Sequence, residues 1–123
     1  MNKAFIVGNL TRAPEMRKTH NDVSVCMFTV ACNRLYKNAD GEREADFIPV
    51  VTWRGLAENC YRYLQKGSKA AVAGMLQTRS YEGKDGVKRY VTELVADEVE
   101  FLGGRKDDGA DMTPADDEED MPF

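Results

Sequence analysis

Between Asp46 and Gly67 the hydrophobic period changes within one stretch, DFIPVVTWRGLAENCYRYLQKG. Its first half alternates: Phe47, Pro49, Val51 and Trp53 fall on one side, Ile48, Val50, Thr52 and Arg54 on the other, which predicts a strand. In its second half Leu56, Cys60 and Leu64 recur every four residues, one stripe of a helix. Gly67 then stands where a left-handed helix cap is expected, with Lys66 beside the carbonyl end of the dipole. Pro49 cannot donate to a ladder, so it is expected at an edge or facing an open side.

The same reading assigns strands to the rest of the chain. Lys3 to Leu10 is the first, with Gly8 and Asn9 marking a bend or a close backbone approach. Thr11 to Asn21 is polar and turn-like. Val23 to Cys32 is the second strand, apolar on both faces, as suits a barrel wall that also meets another subunit. Asn33 to Ala45 is a long hairpin connection with Asp40-Gly41 at its tip. Ser68 to Tyr81 follows the helix as the fourth strand, with Lys69, Ala71, Ala73, Met75, Gln77, Arg79 and Tyr81 on the outer side. Glu82 to Gly86 turns into the fifth strand, Val87 to Leu102, which its length expects to be bent or bulged. The expected fold is all-β: a five-stranded OB-fold barrel with one short helix between strands 3 and 4.

Composition divides the chain. From Gly103 the sequence is rich in Asp, Glu and Gly and nearly free of β-branched residues, too polar to order itself. Three segments are expected: the barrel over 1–102, a flexible linker over 103–115, and an acidic tip over 116–123. The net charge of −4 averages over this division. Eight of the twenty-one acidic residues lie in 107–123, leaving thirteen against seventeen basic ones, so the body carries +4. No apolar run approaches the roughly 20 residues of a membrane span, and the N-terminal stretch reads as a strand, not a signal peptide. The three cysteines, Cys26, Cys32 and Cys60, are odd in number and lack C-x-x-C spacing. They read as reduced, buried thiols in a cytosol. A zinc site at His20 and Cys26 would lack two ligands.

With one histidine and no Gly-rich phosphate loop, no catalytic constellation, cofactor site or metal site is apparent, and the chain does not read as an enzyme. The candidate chemistry is a surface for single strands. Tyr36, Phe47, Trp53 and Tyr81 stand at strand ends or loops, where rings stack on bases of any kind. Tyr90, inside the last strand, is expected to pack instead. Lys3, Arg34, Lys37, Arg54, Lys66 and Arg79 belong to a spread of cations that suits a flexible phosphate backbone. Arg54 and Arg79 stand out because each neighbours a stacking candidate. Some of these charges serve solubility alone. The tip, Asp116, Asp117, Glu118, Glu119, Asp120, Met121, Pro122 and Phe123, joins a terminal ring and carboxylate to a run of acids, which suits a basic-rimmed apolar pocket on a partner protein.

These residues carry a resemblance. NKAFIVGNL, PEMR, TWRGLAENCYRYLQKGSKAAVAG, LQTRSY and DDEEDMPF together resemble the bacterial and phage single-stranded DNA-binding protein family over essentially the whole chain. The resemblance implies an OB-fold protein, usually a homotetramer, that wraps single-stranded DNA in the bacterial or phage-infected cytoplasm, at the nucleoid. It further implies roles in replication, recombination and repair, with partner enzymes recruited through the tail. By the same resemblance Tyr36, Phe47, Trp53 and Tyr81 match base-stacking positions, and Lys66 and Arg79 match basic DNA-contacting ones. Tyr36, Phe47 and Tyr81 stand where members often have tryptophan, and the linker is shorter than in many members. Two other readings of the same fold are a protein adaptor of replication restart, expected to lack the DDEEDMPF tip, and a nuclease, which needs positioned acids in the barrel.

Overall fold

The computed structural model of the chain describes residues 1–103. Six strands and one helix follow in order: β1 Ala4–Leu10, β2 Glu15–Lys18, β3 Ser24–Lys37, β4 Arg43–Trp53, α1 Arg54–Tyr63, β5 Lys69–Glu82 and β6 Lys88–Leu102. β1 pairs with β5, β5 with β6, β6 with β4, β4 with β3, and β3 back with β1. That circuit closes a five-stranded barrel, antiparallel except for the β4–β6 pair. The helix connects the third and fourth strands of the circuit, as the sequence predicts for an OB-fold.

β2 is the strand outside the circuit, and it corrects the turn expected over Thr11 to Asn21. Glu15–Lys18 pair with Met27–Ser24 along the edge of β3 that β1 leaves after Leu10. β1 and β2 therefore act as one flank of β3, interrupted near Pro14. Polarity hid this strand, because its outward face is solvated along with its ends.

Closure depends on small residues where backbones meet. A Cβ on Gly8 would overlap the carbonyl oxygen of Ala31, and one on Gly74 would overlap that of Val95. Gly74 sits where Ala73 pairs with Glu98 but Gly74 with Ala96, so Asp97 is an extra residue on β6. This is the bulge expected from the strand's length, and it lets β6 curve round the barrel. Pro49 lies just before the β4–β6 pairs Val50–Leu94 and Val51–Val95, where among the described residues that side of β4 has no ladder partner.

The interior is filled by the even-numbered side of β4 and its counterparts. Val30, Val50, Val72 and Leu94 are fully buried, and α1 adds Ala57 and Cys60, with Leu64 just beyond it. Each large side chain so buried contributes about 1.5–3 kcal/mol. The helix itself stops sooner than the sequence suggests. Leu64 is already extended (φ −94°, ψ 151°), so Gly67 is not its cap. Gly67 (φ +86°) instead forms the third position of a tight turn closed by Ser68 N–H donating to the Gln65 carbonyl, the conformation that a type II turn reserves for glycine. The Gly67 N–H donates to Leu10 O and so ties that turn to β1.

Beyond the barrel, two hairpins project as arms. The expected loop over Asn33 to Ala45 is mostly ladder: β3 runs to Lys37 and β4 starts at Arg43, with a register shift between Asn33 and Lys37. The second arm carries Gln77–Glu82 against Lys88–Glu93.

Candidate nucleic-acid interface

Directly opposed residues on paired strands share a face. Val25–Trp53, Met27–Val51, Thr29–Pro49 and Ala31–Phe47 are such pairs, and Val51–Val95–Met75 carries the same face across β6 to β5. Counting by twos from Val51, Val95 and Met75 brings Phe47, Trp53, Glu93, Gln77, Arg79 and Tyr81 onto one outer face. Phe47 is 63% exposed and Trp53 43%. Tyr81 is exposed as well, and the Arg79 guanidinium carbon lies 5.9 Å from its ring centroid. Alternation alone, read from the sequence, set Phe47 and Trp53 on this side, because their neighbours Val50 and Thr52 fill the core.

Arg54 follows Trp53 at the strand-to-helix junction. It takes φ +61°, in the left-handed region, which costs a non-glycine residue roughly 1–2 kcal/mol. Counting on from the Ala4–Gly74 pair, Lys3 falls beside Met75, at the margin of the same face. Asn2 fixes that end of β1: its side chain donates to Leu76 O (2.7 Å) and accepts from Leu76 N (3.0 Å).

The β3–β4 arm carries Arg34, Tyr36 and Lys37. With Asn38 and Glu44 they line an open hollow of about 280 Å³. Tyr36 is the most exposed of the candidate rings. Arg34 is engaged within the arm, donating through Nε and Nη2 to Asp46 (3.0 and 2.8 Å) and through Nη1 to Glu44 (3.2 Å). These bonds raise the Arg34 pKa and lower that of Asp46. Arg43 Nη1 donates to the carbonyls of Arg34 and Leu35. Lys66 stands apart from the aromatic face, in the turn beside Lys69 and Leu102. The predicted tip, Asp116 to Phe123, lies outside the described residues.

Two groups depart from expectation. Tyr90, expected to pack, is 75% exposed with the Lys88 ammonium 5.8 Å from its ring centroid. It stands on the β5–β6 arm, where both faces of the ladder meet solvent, and strand position alone did not reveal that. Glu93, which the sequence did not single out, holds Arg79 through two 3.1 Å bonds from Nε and Nη2. Spacing offered no signal for this pair, since it forms across the hairpin. Among the described residues no three His, Cys, Asp or Glu side chains gather to hold a metal ion.

Barrel and surface define an OB-fold protein with an aromatic and basic outer face. A family model described as "Single-strand binding protein family" matches residues 1–102, and the chain belongs to that family. It is 54% identical over 109 residues to the single-stranded DNA-binding protein of Bacillus cereus, covering 89% of this chain and 64% of that one. It is 52% identical over 108 residues to single-stranded DNA-binding protein 1 of Staphylococcus aureus strain MSSA476, covering 88% and 69%. It is 57% identical over 102 residues to single-stranded DNA-binding protein 2 of strain Mu50, covering 83% and 72%. The chain thus spans just under two thirds of its Bacillus relative's length.

Proposed function

We propose that this chain is a non-enzymatic binder of single-stranded DNA, tolerant of sequence, that protects exposed strands during replication, recombination and repair. The observation that carries the reading is the shared outer face of Phe47, Trp53 and Tyr81, three exposed rings beside cations. Bases have π faces whatever their identity, and in single-strand binders generally each stacked base is worth ~1–3 kcal/mol, a range that belongs to the class and not to this structure. The +4 body supplies the counterion-releasing part of binding. Tyr36 and Lys37 on the arm, and Arg54 and Lys3 at the margins, extend the path. Arg34, on the same arm, joins the path by exchanging its half-exposed carboxylate partners, and Lys66 joins only peripherally because of its position. The names of the relatives support the same ligand.

Two finer parts belong to the proposal. The tip from Asp116 to Phe123 recruits replication, repair and recombination enzymes, its acids steering and Phe123 anchoring, because its charge repels DNA phosphates. The protein works as a homo-oligomer, a tetramer by family resemblance, in the bacterial cytoplasm at the nucleoid.

One titration tests the division of labour. Trp53 is the only tryptophan, so its fluorescence should be quenched by poly-dT and much less by duplex, with affinity falling steeply as salt rises. A chain lacking Phe123 should titrate identically but lose helicases and nucleases from a bacterial lysate pull-down. Equal affinity for duplex and single strand at moderate salt refutes the ligand. Retention of every partner refutes the tip.

A further inference from the structure

We infer that Glu93 is a positioning residue: it commits the Arg79 guanidinium to a flat platform beside Tyr81 and withholds it from phosphates, so this part of the face meets bases and not backbone charge. The inference rests on the single-strand reading above.

The geometry starts with the register. Arg79 opposes Val91 and Gln77 opposes Glu93, so Arg79 reaches its carboxylate diagonally across the hairpin on the outer face. The pair is bidentate, Nε to Oε1 and Nη2 to Oε2, both at 3.1 Å. Such a fork uses one edge of the guanidinium and fixes the orientation of its plane. The plane itself stays open, because the Arg79 side chain is 53% exposed, and it lies 5.9 Å from the Tyr81 ring centroid. With the guanidinium held over the Tyr81 ring, the two groups form one stacked platform on which a base can continue the stack.

The same geometry disfavours a phosphate. The Glu93 side chain is only 12% exposed. A phosphate that drew Arg79 away would leave a nearly buried carboxylate unpaired, and would bring a second anion next to it. The other arm provides the contrast. Arg34 is paired with Asp46 and Glu44, but both carboxylates are about half exposed. Water can take over their solvation, so Arg34 can exchange partners at little cost. The hydrogen bond to Glu93, with its charge, also raises the Arg79 pKa.

Salt dependence separates a charge contact from a stacking one, because each phosphate neutralised on a single strand adds about 0.7 to the slope of log K against log salt. Full-length wild type, Arg79→Gln, Glu93→Gln and the double variant are titrated with a dT oligonucleotide over a salt series. Arg79→Gln should lose about two- to five-fold in affinity with its slope unchanged. Glu93→Gln frees the guanidinium and should steepen the slope by about 0.7, and the double variant should return it to the wild-type value. A slope made shallower by Arg79→Gln alone overturns the inference, as does an unchanged slope in a folded Glu93→Gln. Should Glu93→Gln fail to fold, the Arg79→Gln slope decides alone. A wild type that does not bind the oligonucleotide overturns the single-strand reading itself.

Discussion

Thr52 is polar and wholly buried, and its environment explains the two cysteines beside it. Its Oγ1 donates to the Cys26 carbonyl at 2.9 Å, which satisfies the hydroxyl inside the barrel. Burial pushes the Cys26 thiol up from 9.0 to about 11, and burial together with Cys26 pushes Cys60 up to about 12; Thr52 opposes both shifts weakly. The folded pKa values lie above the unfolded ones, so the folded state binds more protons between them. The stability these neutral thiols supply is complete below pH 9.0 and is lost as pH rises toward about 12. Urea midpoints should therefore fall more steeply over that window in wild type than in a Cys26→Ala, Cys60→Ala variant, which differs from it only at the two thiols. Parallel pH curves would remove the thiols from the account. At this scale the sequence was legible wherever alternation decides: Phe47 and Trp53 outward, Val50 and Thr52 inward. It was silent on Glu93, because a partner across a hairpin depends on register.

Local chemistry explains the elements well. Three hairpins close in one way. Thr19, Asn38 and Gly83 each donate N–H to the carbonyl four residues on (Val23, Glu42, Val87) and accept from the N–H three residues on (Asp22, Gly41, Gly86). The third-residue donor has positive φ each time, 64°, 80° and 78°. This is a three-residue hairpin loop with a left-handed residue at its end, and Gly or Asp takes that conformation more readily than most. Asp40-Gly41 was readable as a tip for this reason. The β5–β6 arm was readable as strand, but the β3–β4 arm was not, since its residues meet solvent on both faces and carry no apolar period. Gly8 shows the other limit. A β propensity scale disfavours glycine in a strand, but here a side chain has no room against Ala31. Gly8→Ala should destabilise by about 1–3 kcal/mol through the shift it forces at the β1–β3 closure, measured as a lower denaturant midpoint with an unchanged slope. A neutral substitution would mean that the closure yields more easily than the geometry implies.

At the scale of the molecule, closure leaves one edge open. β3 reaches β1 only at Asn9 and Leu10, with Gly8 packed against Ala31, so among the described residues Ala4 to Val7 have no strand partner opposite β5. Phe5, 70% exposed, and Val7 project from the same stretch beside Ala73 and Ala71. An open edge with an apolar face invites a second strand. The sequence directed attention to Ile48 and Val50 as core or interface, and Val50 is closed into the subunit's own core. The proposed homo-oligomer therefore has its best-placed contact on β1. Light scattering at micromolar concentration should give a multiple of 13.8 kDa, reduced by Phe5→Glu; a wild-type monomer would refute the assembly. The sequence by itself determined the faces of the barrel strands, the helix after Trp53, the turn tips and the acidic character of the tail, because each follows from neighbours within a few residues. Only the tertiary structure decided that β2 flanks β3, that Gly67 serves a turn and not the helix, that Tyr90 meets solvent and that Arg79 is held by Glu93. These depend on which strands meet and in what register, and that is set by barrel closure among residues far apart in the chain.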